Sequence, residues 1–113
     1  MSLHETGAQW DFPYGWAPIH LIAIEGLKRY GHNAEADRIS FKFLHMVLED
    51  FERTKTMFEK YDVVTRASKT RIRVGYKENV IGFGWTNGVF LELLHQLPAE
   101  LTNRLRKLRA AKQ

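Results

Sequence analysis

PIHLIAIEGLKRYGHNAEADRISFKFLHMVLEDFERTKTM, Pro18 to Met57, is where the fold is most legible. Ile19, Ile22, Ala23, Leu27 and Tyr30 recur at helical spacing. Pro18 suits a first helical turn, where its missing N–H is no loss, and Gly31 is a natural stop. A second helix follows with Asn33 as its expected N-cap and Glu35 and Asp37 near its positive end. Its apolar positions are Ala36, Ile39, Phe43, Leu44, Val47, Leu48 and Phe51, and it is expected to run to about Met57. Between Phe41 and Leu48 they widen to most of the circumference, so that part is buried on more than one side. The short turn GHN makes the two helices an antiparallel hairpin. The start of the first therefore lies near the end of the second.

Working outward, that geometry gathers unusual segments. QWDFPYGWAP, Gln9 to Pro18, precedes the first helix and is too interrupted for a helix of its own. FEKYD follows the second. From Glu59 to Gly84 there is no sustained periodicity, only short β pieces expected around Arg71 to Val74. GFGWTNG then opens a third helix, capped by Thr86 or Asn87 and carrying Val89, Phe90, Leu93, Leu94 and Leu97. Pro98 begins a fourth, with Leu101, Leu105 and Leu108 on one stripe. The fold class is all-α: about four helices in antiparallel hairpins with one long irregular loop. A continuing up-and-down path brings all three unusual segments to one rim, as functional loops on a helical scaffold.

With 113 residues, 44% of them apolar, the chain holds enough for one core. Nothing approaches the roughly twenty apolar residues of a membrane span, so no membrane is expected as partner. The net charge of +4 gathers in the last stretch, at Arg104, Arg106, Lys107, Arg109 and Lys112. The aromatics lie elsewhere, so these charges read as a solvated terminal helix and no nucleic-acid partner is expected. No cysteine is present, and His4, His20, His32, His45 and His95 lack close ligand spacing, so no metal site is expected. The compartment, cytoplasmic or periplasmic, stays open.

The rim's polar set is Gln9, Asp11, Glu59, Asp62, Glu78 and Asn87, among Trp10, Phe12, Tyr14, Trp16, Phe83 and Trp85. Carboxylates among aromatic faces suit a carbohydrate, whose C–H faces pack on indole and whose hydroxyls need fixed partners. Glycoside hydrolysis needs two carboxyl groups. Plainer readings stand beside this one. Trp16 and Trp85 read as buried supports, and Asp11 as a partner for backbone N–H groups of its own turn. Glu59, just past a helix end, is disfavoured by the dipole: either an incidental surface charge or a group kept there for function.

QWDFPYGWAP closely resembles the second signature of the trehalases of glycoside hydrolase family 37. EKYDV, Glu59 to Val63, and GFGWTNGV, Gly82 to Val89, agree with that family in order and spacing. The resemblance spans about residues 8 to 95. It implies an (α/α)6 toroid of which residues 1–113 form a partial, C-terminal fragment. It also implies hydrolysis of α,α-trehalose to two glucose molecules, with inversion and with no cofactor or metal. Glu59 is then the general base acting on the attacking water. Gln9 and Trp10 are the substrate-contacting pair, with Asp11 shaping their loop. Phe83, Trp85 and Asn87 line or brace the mouth.

The chain departs from the family in two places. Its lid region reads ASKTRIRVGYKENVIGFGW, with Tyr76 where the family's substrate-contacting glutamate stands; Glu78 takes that role after a small shift. The family's general-acid aspartate lies in an earlier part of its chain, which nothing here matches. The expectation is a fragment of a trehalase, inactive alone and prone to self-association through apolar flanks. Its rivals are a fragment of a related α-glucosidase with another substrate and a non-catalytic interaction fragment.

Overall fold

The structure is a computed structural model that describes residues 4, 6–75, 77–82 and 84–111. It is mostly helical, with α1 (Ala17–Arg29), α2 (Asn33–Thr54), α3 (Gly84–Gln96) and α4 (Ala99–Ala110). Two short strands, β1 (Tyr14–Trp16) and β2 (Lys60–Asp62), complete it. The core is built where α1, α2 and α3 meet, from Ile24, Phe43, Leu44, Val47, Val89 and Leu93, with Leu105 reaching in from α4.

Pro18 sits in the first turn of α1, as its fixed φ favours. Tyr30 caps the other end, and Gly31 follows at φ +82°, the left-handed step a side chain resists. α2 begins one residue earlier than expected. Its N-cap is His32 rather than Asn33, because the preceding turn already closes with the His32 N–H on the Leu27 carbonyl, 2.9 Å away. It also ends earlier than Met57: Lys55 turns left-handed at φ 60°, and its N–H bonds the Phe51 carbonyl.

Two local expectations are corrected. Thr86 does not cap α3 through its own turn and lies inside the helix. Its hydroxyl donates to the Phe58 carbonyl at 2.7 Å, tying α3 to the chain after α2. Nor does a strand form around Arg71 to Val74, where an isolated bridge joins Val74 to Ala8. The sheet lies earlier instead. β1 and β2 pair antiparallel with Tyr14 opposite Asp62, Gly15 opposite Tyr61 and Trp16 opposite Lys60. This minor sheet is the direct product of the helical hairpin, which returns the end of α2 to the start of α1.

Candidate functional site

The β1–β2 ribbon seats the aromatic residues of the rim. Trp16 is buried, and its indole N–H donates to the Gln9 carbonyl at 2.9 Å. The Trp10 ring lies on that of Trp16 with centroids 3.7 Å apart and planes 7° from parallel. Trp85, from the first turn of α3, meets Trp16 edge-on at 5.7 Å. Such pairs add about 0.5–1.5 kcal/mol each beyond the area they bury. Trp16 is thus a buried support, as its plainer reading had it, whereas Trp85 is only partly covered. Trp10 remains 50% exposed, which leaves apolar area open beside the stack.

Gln9 is held by its backbone, its N–H bonding the Val74 carbonyl at 3.3 Å. Its side chain lies against Gly75, where an added Cβ would stand 3.0 Å from Gln9 Cδ, so the close approach depends on glycine. Gln9 Oε1 is buried without a hydrogen-bond partner among the described residues. Asp11 does not use its carboxylate on the backbone of its own turn; it accepts from the Thr6 hydroxyl.

Glu59 is buried, 1% exposed, immediately before β2. Its Oε2 accepts from the Lys60 ammonium at 2.6 Å, and both side chains are closed to solvent. The ammonium also stands over the Trp16 ring, 5.0 Å from its centroid. Trp10, Trp16, Lys60 and Glu59 therefore form one continuous chain of contacts. The Glu59 N–H bonds the Val80 carbonyl at 2.9 Å, fixing the backbone under the carboxylate. Next along β2, the Tyr61 hydroxyl accepts from the Phe58 N–H at 3.1 Å. Burial pushes that phenol up to about 12, with the nearby Asp50 charge adding to the shift.

The other rim residues are arranged less closely. Asp62 serves its own turn, its Oδ1 accepting from the N–H groups of Val64 and Thr65, each at 2.9 Å. Glu78 and Asn87 are exposed. Phe83, and Tyr76 in the lid stretch, lie outside the described residues. Among the described residues no group of three or more His, Cys, Asp or Glu is placed to hold a metal ion.

Two site residues were not singled out from sequence. One is Lys60, whose long cationic side chain gave no sign that it would be buried. The other is Asn79, which accepts from the Lys60 N–H at 3.3 Å and donates to the carbonyls of Lys60 at 2.8 Å and Ser68 at 2.6 Å. That clamp gives the long loop a fixed contact with β2. An asparagine inside KENV carries no local signal of such a partner, because its acceptors lie far away in sequence.

Four helices in this arrangement with a small ribbon define the class: part of an (α/α)6 toroid. The trehalase family profile matches residues 1–98, and the chain belongs to that family. It is 43% identical over 114 aligned residues to the periplasmic trehalase of Xanthomonas oryzae pv. oryzae, covering 95% of this chain and 19% of that protein. With the periplasmic trehalase of Escherichia coli it shares 47% over 92 residues, covering 80% and 16%. The four helices also match the solved neutral trehalase Nth1 of Saccharomyces cerevisiae, with a TM-score of 0.67 and 31% identity over 88% of this chain. That alignment covers 16% of the yeast chain. The chain thus spans less than a fifth of the length of the relatives it matches.

Proposed function

We propose that this chain is the C-terminal part of an inverting α,α-trehalase, with Glu59 as general base. The support is the convergence of the family-like segments: Trp10, Trp16, Lys60 and Glu59 are joined through a paired β1 and β2. In this reading the half-exposed Trp10 indole packs a glucose ring, and the unpartnered Gln9 Oε1 accepts from a sugar hydroxyl. Glu78, Phe83, Trp85 and Asn87 line or brace the mouth, with Asp11 holding the loop. Glu59 takes a proton from water on the face opposite the leaving group, which needs a second carboxyl group as acid. No segment here matches the part of the family's chain that carries that acid, so the 113 residues alone do not turn over trehalose. Glu59 is 1% exposed in this arrangement, so in this reading a side-chain or loop movement admits the attacking water to its carboxylate.

The chain's exposed apolar side chains, Ile22 at 69% and Leu91 at 66%, fit a partial toroid that self-associates. Sedimentation of the isolated chain then shows species heavier than its 13.2 kDa monomer.

The decisive test exchanges this segment for its counterpart in the Escherichia coli trehalase and follows glucose release from trehalose. The folded chimera is expected to be active and its Glu59→Gln variant slower by about a thousandfold or more, within the range of lost proton-transfer catalysis. A folded but inactive chimera, or an active Glu59→Gln variant, overturns the reading. The altered lid favours one second reading, another α-glucoside as substrate. It requires the chimera to prefer kojibiose or maltose over trehalose.

A further inference from the structure

Among the described residues, Lys60 is a cation wholly enclosed at the rim. Its side chain is fully buried, and its backbone is paired to Trp16 across the ribbon. Asn79 clamps it on both its N–H and its carbonyl. From that fixed backbone the ammonium reaches, among the described residues, the Glu59 carboxylate at 2.6 Å and the Trp16 ring at 5.0 Å. A buried ion pair is weak evidence of net stabilisation. Taking two charges out of water costs about as much as their attraction returns, and an apolar pair of the same shape commonly does as well or better. What the ion pair supplies is position: the buried ammonium, held over the Trp16 ring, keeps the Glu59 oxygen it donates to at 2.6 Å.

We propose that Lys60 is a positioning residue, whose buried ammonium aims the Glu59 carboxylate and holds the Trp16 indole that carries Trp10. The inference rests on reading Glu59 as the base. It deepens that reading by tying the base and the aromatic sugar platform to one cation. A displaced platform or a rotated carboxylate then has a common cause.

In the Escherichia coli chimera, Lys60→Met keeps the stem and removes the charge. Its kcat is expected to fall about a hundredfold and its KM to rise severalfold, because base and sugar platform lose one support, and Lys60→Arg is expected to recover at least about tenfold of the loss in kcat. Adding Lys60→Met to Glu59→Gln should cost little further, because a residue acting through another is non-additive with it. Unchanged kcat in a folded Lys60→Met chimera overturns the proposal, as does a further tenfold loss on top of Glu59→Gln. The two readings fail separately. Activity surviving Glu59→Gln removes the base, whereas a dead Glu59→Gln beside an intact Lys60→Met removes only Lys60. If the Lys60→Met chimera does not fold, near-UV circular dichroism of the 113-residue chain decides. The Trp10–Trp16 signal should lose at least about half its intensity in Lys60→Gln and persist in Lys60→Arg. Equal signals in both variants overturn the proposal.

Discussion

Replacing Trp16 by phenylalanine tests whether one indole organises the rim. Three things change in the structure. The donor to the Gln9 carbonyl at 2.9 Å disappears, and that partly buried acceptor is left to find water. The hydrogen bond itself is worth about 1 kcal/mol net, and a stranded acceptor raises the loss toward about 1–2 kcal/mol. The smaller ring also keeps only part of its contacts with Trp10 at 3.7 Å and Trp85 at 5.7 Å, each worth about 0.5–1.5 kcal/mol. Together these predict a destabilisation of about 2–3 kcal/mol, a shift of about 1–2 M in the urea midpoint for a slope near the low end for small proteins. The loss should be local in kind. α1 and α2 pack through Ile24, Phe43, Leu44 and Val47, so the helical circular dichroism of the folded variant should be that of the parent. Trp10, freed from its stack, should become more accessible to acrylamide quenching. A midpoint shift below about 0.3 M with unchanged quenching would refute the reasoning, since it would mean that neither the hydrogen bond nor the stack holds the loop.

Two further outcomes follow from packing and charge. At Gly15, a Cβ would lie 2.4 Å from Val63 Cγ1 and 2.7 Å from His20 Cε1, so Gly15→Ala must push apart β1, β2 and α1. A loss of about 1–3 kcal/mol in chemical denaturation is expected, as for other overpacked sites, and a neutral change would show the contact to be soft. His20 donates from Nδ1 to the Trp16 carbonyl at 3.0 Å in its neutral form, and burial holds its proton affinity below the ordinary histidine value. The cavity beside it is lined by Lys42 and Arg66 and by no acid that would favour the charged ring. The unfolded chain therefore binds the proton more readily. The stability His20 contributes is complete above about pH 6.5 and is lost as the pH falls below it. The urea midpoint should drop between pH 8 and pH 5.5, and His20→Gln should lessen that drop; equal slopes in both proteins would remove His20 as the cause.

Most of the helical architecture was legible in the chain because its signals are local. Pro18, Gly31 and Pro98 mark ends through their own backbone chemistry, and the spacing of Phe43, Leu44, Val47 and Leu93 marks buried faces. On α1 the expected stripe is corrected: Ile19, Ile22, Ala23 and Tyr30 are exposed, and Ile24, which the spacing did not single out, is buried instead because α2 and α3 pack on that face. The boundaries that moved, His32 for Asn33 and Lys55 for Met57, did so by one to three residues, where turn hydrogen bonds outweigh cap preference. The rim was legible in membership and not in contact. QWDFPYGWAP and FEKYD could be brought together by the hairpin argument, yet nothing in either stretch says that Trp16 faces Lys60.

By itself, then, the sequence determined the helices, their hairpin order and the family to which the chain belongs. These depend on periodicity, caps and motif spacing, all readable within a few turns of chain. The tertiary structure alone decided that a lysine would be buried against Glu59, that Thr86 would serve Phe58 rather than its own helix, and that Asn79 would clamp β2. Each is a polar group meeting a partner nineteen or more residues away, or losing its water to a neighbour that arrives from such a distance. Hydrogen bonds and charge pairs of that kind form only where the folded chain excludes solvent and offers one geometry, and no local pattern of residues encodes that meeting.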